Sequence, residues 1–136
     1  MLVPHTHPQP ESLVVTQGTI TTGTLIPGII DPTKGTGEIV QDLKTYQGTV
    51  FPAGAIHYQM NPTCDPAIFV ASLTSSDPGT TLESQFFSLN GQVVAATLGF
   101  PDGAVDGMKI EDFRGKIPTA LFIGVQQCLK KCGMLM

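Results

Sequence analysis

The chain has 136 residues, a formal charge of −4, 41% hydrophobic and only 13% charged residues. That length suits a single domain able to bury one core. The acidic balance, with Lys130-Lys131 as the only basic cluster, excludes a phosphate-reading nucleic-acid surface. No apolar run is long enough for a membrane-spanning helix.

Taken in chain order, the first two-thirds reads as short strands separated by turns. Strands are predicted for "SLVVTQ" (12–17), "TITTGTLI" (19–26), "EIVQDLK" (38–44), "TVFP" (49–52), "IHYQM" (56–60) and "IFVASL" (68–73). Gly18, "PGIIDPTKGTG", "YQG", "PAG" and "SSDPG" punctuate them. Short strands at this spacing point to an antiparallel sandwich or barrel. "VVAATLGF" (93–100) fits a short helix or a buried strand, and periodicity does not choose. In "IPTALFIGVQQCLKKCG" the helical spacing of Leu121, Phe122, Val125 and Leu129 predicts a helix over 117–132, with Gly133 as its stop. Residues 1–90 then form a β core and 91–136 a helical C-terminal extension of the same domain.

The opening "MLVPHTHPQP" has neither the basic nor the apolar region of a signal peptide, which taken literally means cytoplasmic. Three cysteines leave an odd thiol however they pair, and three reduced thiols would suit that compartment. On the predicted helix Cys128 and Cys132 lie one turn apart, a placement that suits a mutual disulfide poorly. In an oxidised protein at least one bonds elsewhere, and Cys64 is the candidate inside this chain.

Two of the three histidines stand one residue apart in "HTHPQPE". On a strand, residues i and i+2 share a face, so His5 and His7 can aim at one point. Pro8 and Pro10 cannot donate to a ladder, so the chain should turn there and bring Glu11 back on the neighbouring strand. His57 lies on another predicted strand, and Asn61, four residues on, shares its face as a possible contact to a bound small molecule. Three imidazoles and one carboxylate suit a divalent transition metal and leave coordination positions open for water or substrate. A lone H-x-H near a terminus is often no more than a pair of surface residues, so the weight rests on the wider pattern.

That pattern is H-x-H-x3-E-x6-G (His5, His7, Glu11, Gly18) followed by P-x-G-x2-H-x3-N (Pro52, Gly54, His57, Asn61). It resembles both motifs of the cupin superfamily in their germin-like form. The downstream "NPTCDPAIFVASLTSSDPGT", "VVAATLG" and "GVQQCLKKCG" are similar to its spherulin-like branch. The resemblance implies an all-β cupin barrel (a double-stranded β-helix or jelly roll) with a short helical C-terminal appendage. It implies a metal held by His5, His7, Glu11 and His57, manganese ahead of iron, copper or zinc. It also implies an extracellular homo-oligomer. The chemistry implied is that of an oxidoreductase of the superoxide dismutase or oxalate oxidase type, with superoxide, dioxygen or a small carboxylate as partner. Alternatives are a non-enzymatic, metal-stabilised wall or storage protein, and an isomerase or dioxygenase acting on a small metabolite.

The sequence departs from the germin pattern in three places. Germin-like chains carry a signal peptide and early strands before the first motif, so the barrel is expected to be incomplete at its N-terminus. Members of this branch often have a cysteine in that upstream stretch. Leu2 stands where oxalate-oxidising germins have an asparagine, and it cannot donate a hydrogen bond. Tyr46 stands where the second motif opens with glycine, the nearest glycine being Gly48, which suggests a differently shaped turn.

Overall fold

In the computed structural model, residues 1–26, 28, 37–100, 104, 105 and 108–134 are described. Alternation between inward and outward side chains builds the body of the fold. Along β2 (Glu11–Gln17), Glu11, Leu13 and Val15 are buried while Ser12, Val14 and Thr16 face out. Period-two alternation of this kind is what a strand with one face on a core requires. β2 is the centre of a three-stranded antiparallel sheet, between β5 (Gly48–Phe51) and β7 (Ile68–Leu73). The second sheet has the order β4-β3-β6-β1-β8 and is antiparallel throughout. Its strands are β1 (Leu2–Thr6), β3 (Thr19–Leu25), β4 (Glu38–Lys44), β6 (Ile56–Met60) and β8 (Thr81–Leu82). Leu13, Val15, Ile20, Leu43 and Phe51 form the buried core between the sheets, with Ala67 and Phe69 packed against it.

All six predicted strands are present, with ends within a residue of those expected. The turn expected in "PGIIDPTKGTG" falls largely on residues outside those described. Gly18 takes a φ of 76°, the left-handed conformation glycine adopts at low cost. An added Cβ there would lie 2.8 Å from the Pro66 carbonyl oxygen. Tyr46 carries a φ of 67° and is almost fully exposed. Tyr46, where the family pattern has glycine, therefore holds a left-handed backbone without one. The turn is closed by bonds from Tyr46 N–H to the Val15 carbonyl and from Gln47 N–H to the Lys44 carbonyl.

The C-terminal third differs most from expectation. "VVAATLGF" resolves as α1 (Gly91–Thr97), whose N-cap Asn90 accepts from the Gln92 and Val93 amides through its side chain. Val94 and Ala95 of α1 pack on Phe86 and Phe87 of a 3-10 turn at Glu83–Ser88. A two-stranded ribbon, β9 (Ala104–Val105) with β10 (Met108–Lys109), leads into the short α2 (Ile110–Arg114). Arg114 donates to the Phe87 and Leu89 carbonyls. The helix predicted over 117–132 is confined to α3 (Gln126–Lys131). Residues 121–123 instead run alongside the start of β1. Val3 N–H donates to Leu121 O, Ile123 N–H to Met1 O, and Leu2 bridges Phe122. Backbone pairing to an open strand end has overridden the helical spacing of the apolar side chains.

Cys64 is joined to Cys132, and Cys128 is free. Three reduced thiols is therefore not the state of this chain, and Cys64 is the partner expected for one of the two C-terminal cysteines. The bridge spans 68 residues of sequence, a separation for which chain entropy predicts a stabilisation of about 4 kcal/mol.

Tyr46 offers a direct test of backbone strain. Tyr46→Gly should raise stability by roughly 0.5 kcal/mol, the left-handed strain relieved less the extra entropy a glycine loses on folding. A urea midpoint that falls in this variant would contradict the account.

Candidate metal centre

Register brings the histidines together. β1 and β6 are antiparallel neighbours, and His5 stands directly opposite His57. His7 follows β1 by one residue on the same face as His5. The chain then turns at Pro8-Gln9-Pro10, where no ladder donors are available from the prolines. Glu11 opens β2, which belongs to the opposite sheet. The carboxylate thus returns across the barrel, where the sequence reading had put it on a strand adjoining the histidines. One further bond locks the halves of the site: Gly54 N–H donates to the His7 carbonyl at 2.8 Å. Gly54, with a φ of 72°, belongs to the turn that leads into His57.

The four side chains are buried, and a ligand atom from each lies within 4.8 Å of all the others. Ring centroids are 4.4 Å apart for His5–His57, 5.0 Å for His5–His7 and 5.6 Å for His7–His57. Phe51 stacks on the His57 ring at 4.2 Å and fixes its plane. Glu11 Oε2 is 3.1 Å from His7 Nε2 and 3.4 Å from His57 Nε2.

Hydrogen bonding settles which nitrogen of each ring faces inward. His5 Nδ1 donates to Val3 O at 2.7 Å, and His57 Nδ1 to Ala55 O at 2.8 Å. His7 Nδ1 donates to Gly79 O at 2.7 Å, with Thr80 Oγ1 at 3.3 Å. A carbonyl only accepts, so each Nδ1 carries its hydrogen, and in its neutral form a ring held this way presents the Nε2 lone pair to the centre. Such carbonyl-tethered imidazoles are the usual outer support of a metal-ligating histidine. Burial lowers the His5 pKa below its ordinary 6.5, with the neighbouring His57 and His7 acting in the same direction and the carbonyl bond to Val3 opposing it, and so favours that neutral form. His57 Nε2 is buried without a hydrogen-bond partner among the described residues. Lone pairs converging on a carboxylate oxygen repel one another, and a cation among them removes the conflict. The residues present therefore fit a divalent metal.

The structure brings together His5, His7, Glu11 and His57 and leaves Asn61 out. β6 ends at Met60, and the Asn61 carboxamide is engaged in the following loop. It donates to Asp65 O and accepts from Thr63 N–H and Oγ1. Gln59, two residues after His57 and on its face, is the polar group the sequence reading passed over. It is 1% exposed, and both of its amide heteroatoms lack a partner among the described residues. The alternation that pairs His5 with His7 also pairs His57 with Gln59, so the signal was present.

A β-barrel of two antiparallel sheets with a buried three-histidine, one-glutamate cluster between them defines the class. The profile of the cupin family matches residues 1–105, and the chain belongs to that family. Its homologues are spherulins and germin-like proteins. It is 33% identical over 133 residues to Spherulin-1A of Physarum polycephalum, covering 96% of this chain and 50% of that protein. It is 35% identical over 95 residues to Germin-like protein 12-2 of Oryza sativa subsp. japonica, covering 66% of this chain and 40% of that one. The chain thus spans about half the length of the curated relatives it matches. Among solved structures, an oxalate oxidase superposes with a TM-score of 0.67 at 22% identity, over 84% of this chain and 55% of that one. The oxalate decarboxylase of Lactobacillus farciminis gives 0.66 at 18% identity, over 86% and 30%. At these identities the likeness is one of fold.

The pH response of the metal-free protein follows from His5. Its folded pKa lies below the unfolded value of 6.5, so between the two the unfolded chain binds more protons. Stability should be full above pH 6.5 and decline as pH falls towards the folded pKa. Urea unfolding from pH 7.5 downward, compared with His5→Gln, is the measurement. Equal pH slopes in the two proteins would contradict the assignment.

Proposed function

We propose that His5, His7, Glu11 and His57 bind one divalent transition metal, Mn(II) ahead of Fe, Cu or Zn, in a germin-like oxidoreductase. The observation that carries this is the gathering of three tethered imidazoles and one buried carboxylate, with a ligand atom of each within 4.8 Å of all the others. A donor set of three neutral nitrogens and one anion, without thiolate, suits a borderline-to-hard ion. When bound, such an ion supplies one-electron redox chemistry and positions for a small oxygen ligand.

The chain's own residues do the rest. The Val3, Gly79 and Ala55 carbonyls hold the rings in the ligating tautomer. Glu11 supplies the negative charge that offsets the cation. The Gln59 amide, buried and unpartnered, offers one donor and one acceptor to a small polar molecule. Leu2 stands opposite Gln59 on β1 and offers neither. A substrate held by few polar contacts, superoxide first, fits this lining better than oxalate, which needs more donors for its two carboxylates. The Cys64–Cys132 disulfide supports an oxidising, extracellular setting. The exposed Val14, Val50 and Val70 on the outer face of the three-stranded sheet support self-association.

Elemental analysis should find one metal per chain in the wild type and a small fraction of that in His57→Ala, which loses one of four ligands. Equal content in both would overturn the ligand set. Glu11→Gln should keep the fold but lose metal to a chelator at least tenfold faster, on the order of the cost of removing the one anion from such a site. The metal-loaded wild type should remove superoxide and His57→Ala should not. Full metal occupancy with neither superoxide nor oxalate turnover would assign the barrel a structural role.

A further inference from the structure

Away from the histidine cluster, the sulfur-bearing side chains gather at one place. The sequence contains five methionines and three cysteines. The side chains of Met108 and Met136 lie outside those described. All the others (Met1, Met60, Cys64, Cys128, Cys132 and Met134) line a single pocket of about 270 Å³. Thirteen of the 136 residues line it, so an even scatter of side chains does not produce this concentration.

The sulfurs come from separate segments. Met60 ends β6, Cys64 belongs to the loop that follows, Cys128 lies on α3, and Cys132 and Met134 lie beyond its end. The Cys64–Cys132 bridge fastens α3 to the loop, so that Cys128 and Met60 border the same space. Cys128 is half-buried and free, and its thiol donates to the Asn61 carbonyl at 3.8 Å. Asp65 also lines the pocket. Packing accounts for methionines at such a boundary. It does not account for a free thiol kept among them, one helical turn from a disulfide of the kind with which a thiolate exchanges.

Thioether and thiolate sulfur are soft donors that match Cu(I) and discriminate against the hard and borderline ions suited to the histidine centre. We propose that this pocket is a second metal site, taking one soft monovalent cation of the Cu(I) class. Cys128 is its anionic ligand, and Met60 and Met134 are its thioether ligands. On binding, the cation replaces the Cys128 thiol proton, which passes to solvent, and no electron is transferred. The disulfide is scaffold and remains intact. The cation also occupies the thiol and so protects the bridge from exchange.

The test uses the disulfide-bonded protein under anaerobic conditions, with ascorbate to keep copper reduced and excess Mn(II) for the histidine centre. Cu(I) is titrated against a chromogenic Cu(I) chelator. One equivalent should bind, and Cys128→Ser should weaken it on the order of a hundredfold through loss of the one anionic ligand. Met60→Leu, which conserves side-chain volume and leaves the thiol in place, should weaken it about tenfold, one decade of binding constant. His57→Ala should leave Cu(I) binding unchanged. Cu(I) binding that is unaltered by Cys128→Ser, or that disappears in His57→Ala, would overturn the proposal.

Discussion

Three imidazole lone pairs and a carboxylate, all removed from water, are pointed at one another inside this barrel, and the surrounding structure is arranged to hold them there. Left alone, such a cluster is unfavourable: an ionised carboxylate without a counter-charge costs on the order of several kcal/mol when buried. The protein does not relax the conflict by turning the rings. It fixes each ring through Nδ1 to a carbonyl, twice from the residue two earlier in the chain and once from Gly79, 72 residues away. Protonating the rings would relieve the repulsion, but burial opposes that at His5. A divalent cation would make the arrangement favourable, and its binding would then be coupled to the stability of this end of the barrel.

The two sheets contribute unequally to that coupling. His5, His7 and His57 come from the five-stranded sheet and its margin, and Glu11 from the three-stranded one. A metal held by all four would join the two sheets. It would do so where the chain crosses between them at Pro8-Gln9-Pro10, a stretch with few backbone donors. The bond from Gly54 N–H to the His7 carbonyl is the protein's own tie at that point. Phe51, stacked on His57 and part of the buried core, links the metal end to the apolar interior.

Much of this was legible because strands alternate. The inward set of β2 and the shared face of His5 and His7 follow from period two alone. What was illegible has separate physical causes. The carbonyl of Gly79 reaches His7 from a loop, and loops carry no periodicity from which to infer a partner. Asn61 was assigned to the His57 face by continuing the strand, but β6 stops at Met60 and the side chain turns into its own loop. Residues 121–123 have helical spacing in sequence yet pair with β1, since open backbone groups at a strand end outweigh a short apolar stripe. Gln59 was missed although its signal was the same as that of the histidine pair. Tyr46 shows that a left-handed turn can form without glycine where the side chain lies in solvent.

The C-terminal segment ties these observations together. Residues 121–123 bond to the start of β1, two residues before His5, and Cys132 bonds to the loop four residues beyond the end of β6, the strand that carries His57. The two strands whose register sets His5 opposite His57 are therefore each fastened to the same distal segment. α3 has no buried residues and no side-chain N-cap, so it contributes little by packing and is held chiefly by its disulfide and the backbone pairing that precedes it. Loosening that attachment would reach the histidines through the β1–β6 register without altering any of the four site residues.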